Sequence, residues 1–235
     1  CCEIYSDVPG LLSAHPNICQ KPKLLPYVSW EQMAQLSWGG TQLLHHRGAS
    51  LARKYQVPLK LKSSTDPDKD GTSIGKEKQS HMLEQAKVTA LTHKEGLSWF
   101  RMTTPQSEVS LLKAIKWLWK RQESPLINKK TTQSFATTIE LLIRSDLAKQ
   151  LEEFYRNDPQ ENQKNLSIAI HQNVVAVTVV GSGFLLNPEV IDKAVSSYKP
   201  EPHYWECSDN MIRMVWDSCH TEEALNTLHQ TLLSK

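Results

Sequence analysis

The run Val174-Val-Ala-Val-Thr-Val-Val180 narrows the possible folds more than any other stretch of this chain. It is almost wholly apolar and mostly β-branched, so both faces of the strand it forms need cover, which is the environment of a central strand in a sheet. Gly181-Ser-Gly183 then turns the chain, and Asn187-Pro188 opens a helix bearing Val190, Ile191, Ala194 and Val195. A hairpin joins His203–Cys207 to Met211–Trp216, and a last helix from about Thr221 sets Leu225, Leu228 and Leu232 on one side.

The same order of elements precedes it. Strands near Val88–Thr92 and Leu97–Met102 lead to Thr104-Pro105, a cap followed by proline at the first helical position. The helix that follows, to Arg121, is expected to carry Val109, Leu112, Ile115, Leu118 and Trp119 on one face and Lys113, Lys116 and Lys120 on the other. Strands at Leu126–Thr132 and Phe135–Ile143 come next, then a helix opened by Asp146 with Leu147, Leu151 and Phe154. Strand-helix-strand-strand-helix, repeated, predicts two small α+β sandwiches of ferredoxin-like pattern.

The first part of the chain reads differently. Residues 2–8 predict a buried strand that runs into a loop over residues 9–28 punctuated by Pro9, Pro16, Pro22 and Pro26. Ligands of open α/β sheets sit at the carboxyl ends of strands, and Ser6 and Asp7 are the first polar groups after the apolar run; an ordinary strand-to-turn junction reads the same way. Ser29-Trp-Glu-Gln32 is a capping box, Met33 and Leu36 continue its apolar face, and Gly39-Gly40 ends the helix. A second helix near Ala49–Tyr55 leads to Val57-Pro-Leu-Lys-Leu-Lys, whose alternation predicts a half-exposed strand. The polar stretch over residues 64–82, with Asp-Pro-Asp-Lys-Asp-Gly, is expected to be a boundary.

Composition removes several classes. The chain has 235 residues, 39% of them hydrophobic, enough for a sizeable core in more than one domain. A net charge of +2 gives no electrostatic case for nucleic acid, and no apolar run approaches the roughly 20 residues that cross a bilayer. Cys1, Cys2, Cys19, Cys207 and Cys219 form an odd, scattered set with no C-x-x-C pair, which points away from a zinc site or a secreted disulfide framework and toward a reducing cytoplasm. A start at Cys1-Cys2, within an expected strand, reads as a fragment.

Glu3-Ile-Tyr-Ser-Asp-Val-Pro-Gly-Leu-Leu-Ser-Ala-His-Pro-Asn17, the segment Leu24-Leu-Pro-Tyr-Val-Ser-Trp-Glu-Gln-Met-Ala-Gln-Leu, Gly40-Thr-Gln-Leu-Leu-His-His-Arg47 and Val57-Pro-Leu-Lys-Leu-Lys-Ser-Ser64 together resemble the back half of the aspartokinase catalytic domain. The doubled unit resembles the tandem ACT domains that follow it in that family, with Val-Val-Gly-Ser-Gly183 close to the usual opening of the second. The resemblance implies an α/β and α+β chain, a C-terminal fragment of an amino-acid-kinase sandwich followed by two ferredoxin-like (βαββα-type) ACT domains. The expected domains are 1–82, 83–162 and 163–235. The complete enzyme would transfer the γ-phosphate of ATP, with Mg2+, to the β-carboxylate of L-aspartate, the first step toward lysine, threonine and methionine, with no cofactor held tightly by this fragment.

The resemblance also implies site residues. Ser6 and Asp7 stand where the family's Thr-Asp sits beside the nucleotide. Leu12 replaces a tyrosine near the adenine and ribose, Asn17 an arginine, and Gln42 a lysine, while His15 and His46 stand for the usual Asp and Pro. Losing two cations removes electrostatic stabilisation that dominates phosphoryl transfer, so nucleotide affinity is expected to be weak or altered. The family's Lys-x-Gly-Gly-Thr/Ser phosphate loop and Gly-Gly-Ser-Asp aspartate segment do not occur in these 235 residues, so no catalytic residue is assigned.

A feedback amino acid, lysine or threonine, is implied where the first ACT domains of a homodimer meet, at Thr103, Thr104, Gln106 and Ser107 and on the facing strand at Asn128, Thr132 and Ser134. Hydroxyls, amides and a helix amino terminus suit a ligand with its own carboxylate, and the same residues read equally as ordinary loop and edge-strand groups. His45-His46-Arg47 lacks a third metal ligand at suitable spacing, and Cys207 and Cys219, the latter beside His220, are more simply structural thiols. Trp117 and Trp119 cannot share one helix face, so one belongs to the core and the other is a candidate subunit contact. Two functions remain open: the regulatory end of an aspartokinase, or a non-catalytic amino-acid-sensing and dimerising module with a degenerate nucleotide site.

Overall fold

The computed structural model describes residues 1–76, 86–104, 111–133, 136–158 and 166–233. The amino-terminal segment forms a four-stranded sheet in the order β1-β3-β4-β2, with β1 at Cys2–Ser6, β2 at Tyr27–Ser29, β3 at Leu59–Ser63 and β4 at Thr72–Gly75. β1 lies parallel to β3 and β2 parallel to β4, while β3 and β4 are antiparallel. The fourth strand falls inside the stretch read as a boundary. It is fixed there by Thr72, whose buried hydroxyl accepts from Leu11 N (2.8 Å) and donates to Leu25 O (2.7 Å).

Helix α1, Trp30–Gly39, begins at the expected capping box: Gln32 N donates to Ser29 Oγ (3.1 Å) and Ser29 N donates to Gln32 Oε1 (3.0 Å). It ends at Gly40, whose φ of +127° is readily available only to glycine. Helix α2, His46–Lys54, leads into β3, where Leu59 and Leu61 are buried and Lys60 is exposed. Val57 precedes the strand instead of starting its alternation, because its N–H is taken by Ala52 O in the helix-ending turn. Trp30, Met33 and Leu36 of α1 pack with Leu59, Leu61 and Ile74 in one core cluster.

The remaining elements are β5 (Lys87–Thr104), α3 (Leu111–Lys120), β6 (Ile127–Gln133), β7 (Ala136–Arg144), α4 (Ser145–Arg156), β8 (Ser167–Ser182), α5 (Pro188–Ser196), β9 (Tyr204–Ser208), β10 (Met211–Asp217), a 3-10 turn at Ser218–His220 and α6 (Thr221–Leu233). The chain divides into two compact units, one of residues Cys1–Lys94 with Val175–Lys235 and the other of Glu95–Val174. The divisions fall within β5 and β8, two long strands that each contribute residues to both units, while the expected boundaries at 82/83 and 162/163 lie outside the described residues. The two strands read near 88–92 and 97–102 are thus one strand, with Gly96 at φ +68°.

In the unit of Glu95–Val174 the strands lie in the order β6-β7-β5-β8, with β7 antiparallel to both β5 and β6. Phe100, Met102, Ile139, Leu141 and Ile143 of one sheet face meet Ala114, Trp117 and Leu118 of α3 and Leu147, Leu151 and Tyr155 of α4. Helix α3 presents a different face from the one its spacing suggested. Ala114, Trp117 and Leu118 are buried, while Leu112 is 63% and Trp119 72% exposed. Lys113 also departs from the expected solvent face, since it is half-buried and paired with Asp158. The expected cap at Thr104-Pro105, and Val109, reach into residues 105–110, outside the described residues.

In the other unit β5, β8, β10 and β9 follow in order, and Val175–Gly181 is buried throughout, as a strand covered on both faces must be. Val175, Val177 and Val179 pack with Ile212, Met214, Trp216, Ala194, Leu225 and Leu228, whereas Val180 and Ala90 join the core around α1. The sheet of β5 and β8 therefore has α5 and α6 on one side and α1 on the other. The hairpin β9–β10 pairs as expected, from Met211↔Ser208 to Val215↔Tyr204. No helix of the described residues is long and apolar enough to cross a membrane.

Candidate functional site

Parallel pairing of β1 with β3 brings two carboxyl ends together, Ser6 opposite Ser63. Ser6 O accepts from Ser64 N (2.7 Å) and from Ser64 Oγ (2.9 Å). Ser6 Oγ donates to Val8 O (3.3 Å), and Ser63 Oγ lies 2.8 Å from Thr65 Oγ1. The exposed Asp7 carboxylate leaves the same strand end. The hydroxyls and the Ser64 amide thus tie the two strand ends together, and the strand-end position is one at which ligands of α/β sheets commonly sit. Ser63 and Ser64 belong to the motif that carries the resemblance but had no role there, and Thr65 lies just beyond it. Their signal was the alternating run ending in Ser-Ser, and only the parallel register sets them beside Ser6.

The connection from β1 to β2 carries two further candidates. Gly10, at φ +148°, has no room for a side chain, since a Cβ would come 2.7 Å from Thr72 Oγ1. Residues 11–13 and 23–25 then form a short antiparallel ladder: Leu25 N donates to Leu11 O (2.8 Å), Ser13 N to Lys23 O (2.8 Å), and Leu12 bridges Leu24. Leu12 is half-buried, and Asn17 is exposed at the tip, its N–H donating to His15 Nδ1 (3.3 Å). Gln42 is exposed on the turn from α1 to α2, next to Thr41, whose hydroxyl donates to Thr92 Oγ1 (3.2 Å). Asp7, Leu12 and Asn17 thus share the connection that follows Ser6, and Gln42 belongs to another.

Ser13, which the sequence reading passed over, is 3% exposed. Its Oγ accepts from Lys23 N (2.9 Å) and lies 3.4 Å from His229 Nε2 on α6. His229 is 6% exposed, and burial first, then the charge of Lys23, pushes its pKa below the usual histidine value. Cys19 is 2% exposed, its Sγ 3.7 Å from Leu225 O, and burial raises its thiol to about 11, so it packs as an inert apolar group. All five cysteines carry free thiols.

His45 and His46 have structural employment. His45 Nδ1 accepts from Arg47 N (3.3 Å) as the cap of α2, and His46 stacks edge-on against Trp38 with ring centroids 4.5 Å apart. The buried Arg213, another residue without a sequence signal, donates to Glu206 Oε1 (2.7 Å) and Thr178 Oγ1 (3.3 Å).

In the other unit, six threonines form two cross-strand rows, Thr103–Thr138–Thr131 and Thr104–Thr137–Thr132. Thr103 Oγ1 is 3.1 Å from Thr138 Oγ1, and Thr132 Oγ1 is 3.3 Å from Thr137 Oγ1. Strand alternation puts Thr104 and Thr132 on the helix-covered face, along with the exposed Asn128, and Thr103 on the opposite face. Gln106, Ser107 and Ser134 lie outside the described residues.

A four-stranded sheet with the parallel β1–β3 pair, followed in one chain by βαββα-type sheets, has the architecture of an amino-acid-kinase segment joined to ACT-type domains. Residues 1–63 match the family model described as "Amino acid kinase family". Aspartokinase 2 of Bacillus subtilis is 30% identical over 194 residues, which is 80% of this chain and 46% of that protein. The crystal structure of Clostridium acetobutylicum aspartate kinase, described there as an allosteric enzyme, superposes with TM-score 0.74 at 19% identity, covering 98% of this chain and 54% of that one. Escherichia coli aspartokinase III, solved with aspartate and ADP, gives TM-score 0.72 at 16% identity, covering 98% and 52%. The chain belongs to the aspartokinase family and spans about half the length of the relatives it matches.

Proposed function

We propose that these residues are the carboxyl-terminal nucleotide-side segment and regulatory region of an aspartokinase, whose complete form moves the γ-phosphate of MgATP to the β-carboxylate of L-aspartate under feedback by an amino acid. The observation that carries this reading is the joined carboxyl ends of β1 and β3, where Ser6, Ser63 and Ser64 meet and which the exposed Asp7 directly follows in the chain. Mg2+ enters with the nucleotide as part of the substrate, and Asp7 is the hard oxygen donor beside it. Neutral Asn17 and Gln42 donate hydrogen bonds without charge, and such bonds are roughly half as strong as charge-assisted ones, so nucleotide binds weakly here. In this reading residues 1–82 belong to the kinase domain, Thr104, Asn128 and Thr132 border an effector site for lysine or threonine, and homodimers form through the regulatory domains in the cytoplasm.

The Lys-x-Gly-Gly-Thr/Ser and Gly-Gly-Ser-Asp segments do not occur in these 235 residues, so in this reading they turn over no substrate by themselves. Purified chain incubated with MgATP and aspartate is therefore expected to release no aspartate-dependent ADP, and release at an enzymatic rate refutes the assignment. Calorimetric titration with lysine, threonine and methionine tests the regulatory half. A bound effector at about 100 times its dissociation constant adds roughly 2.7 kcal/mol of stability, and no heat or stabilisation from any of the three counts against it.

A further inference from the structure

The loop between β1 and β2 is held at both ends by different parts of its unit. Its base, residues 11–13 and 23–25, is fixed to Thr72 of β4. Its tip enters the core formed by the last helix: Ala14 and Cys19 are 4% and 2% exposed and pack with Val175, Ile212, Leu225 and Leu228, with Ile18 against the same cluster. Surface loops rarely bury their own residues in a neighbouring core, because their polar backbone groups must then find partners. Here they do: Leu91 N donates to Ser13 O (2.8 Å), Ser13 Oγ meets His229 Nε2 (3.4 Å), and Ile18 N and Cys19 N both donate to His15 O (3.1 and 2.9 Å). Between and beside these anchors, His15 and Asn17 are exposed and Leu12 is half-buried.

We infer that Leu225 and His229 of α6 are positioning residues for the β1–β2 loop, so that the packing of α6 sets where Leu12 and Asn17 stand. The link to nucleotide rests on the reading of those two residues given above; the link between helix and loop does not. A shift of α6 against β8 and β10 carries Cys19 through its contact with Leu225 and releases Ser13 from His229. Seating of α6 and the geometry of the loop then become one equilibrium, and whatever binds the loop is coupled to the helix by the same factor in both directions.

The test uses the full 235-residue chain and measures amide hydrogen exchange at Ser13, Ile18 and Cys19 together with the affinity for MgADP. His229→Phe keeps the ring volume and removes the polar contact. It is expected to speed exchange at the three loop amides roughly three- to tenfold, the size of one lost buried hydrogen bond, and to weaken MgADP by a similar factor, while β3 amides keep their protection. His229→Gln, which restores a polar atom, is expected to return both values toward wild type, a recovery that a loss of packing alone would not give. Leu225→Val is the milder variant should the phenylalanine disturb folding, and it is expected to accelerate α6 and loop amides together. Loop exchange unchanged in both variants, or α6 amides accelerating without the loop, overturns the inference. Coupled exchange in a wild-type chain that does not bind MgADP supports the positioning role and defeats the nucleotide reading instead.

Discussion

Replacing Gly40 by alanine measures how closely α1 abuts β5. Gly40 has φ +127°, and a Cβ built there lies 1.9 Å from His93 O, 2.7 Å from His93 C and 3.3 Å from Lys94 Cα. Two costs follow. A left-handed backbone at a residue with a Cβ costs roughly 1–2 kcal/mol. Moving the helix end away from a strand carbonyl, which has no flexible side chain to yield, costs about 1–3 kcal/mol more, the usual range for overpacking. Gly96→Ala separates the two, because Gly96 has φ +68° with nothing within 4 Å of its Cβ position, so only the backbone cost of roughly 1–2 kcal/mol applies. Urea unfolding followed by tryptophan fluorescence should show Gly40→Ala losing about 1–3 kcal/mol more than Gly96→Ala, as a lower midpoint at similar slope. Equal losses would mean that the end of α1 does not rest on β5, and the placement of the kinase segment against the β5–β8 sheet would be wrong.

Gln32 closes the capping box and also donates to Thr89 Oγ1 (3.0 Å) and Gly181 O (3.4 Å), so Gln32→Ala is expected to cost about 1–3 kcal/mol by thermal or urea unfolding, more than a cap alone. Trp117→Ala should cost about 3–5 kcal/mol and Trp119→Ala less than about 0.5 kcal/mol in the isolated chain, and reversed magnitudes would mean that α3 is rotated. His229 has a folded-state pKa below its ordinary 6.5, so the unfolded chain binds the extra proton first. Its contribution to stability is full above about pH 6.5 and declines as the pH falls below that value. A pH series of unfolding midpoints should lose part of its acid-side slope in His229→Gln, and an unchanged slope would place the titration elsewhere.

Much of the local structure was written in short-range chemistry. Ser29 and Gln32 announce the start of α1 because both partners of the cap lie within one turn, and Gly39-Gly40 announces its end because few other residues accept the dihedral angles required there. The seven-residue run from Val174 identifies a central strand because no other environment covers two apolar faces. Ser6 and Asp7 were visible as candidates for the same local reason, a polar group at the end of a strand.

What faces what was decided elsewhere. Seven of the ten residues of α3 are apolar, so spacing alone could not choose between Leu112 with Trp119 and Ala114 with Trp117, and the choice fell to the shape of the β5–β7 surface. Whether residues 87–104 form two strands or one depended on pairing partners far along the chain, since a glycine within a strand gives no local instruction to stop. Ser63 beside Ser6, and Ser13 beside His229, join positions separated by 57 and 216 residues. Sequence by itself settles propensity, periodicity and caps, which are energies of neighbours. The loop's attachment to α6 is a contact between distant segments and exists only once both cores have closed around it.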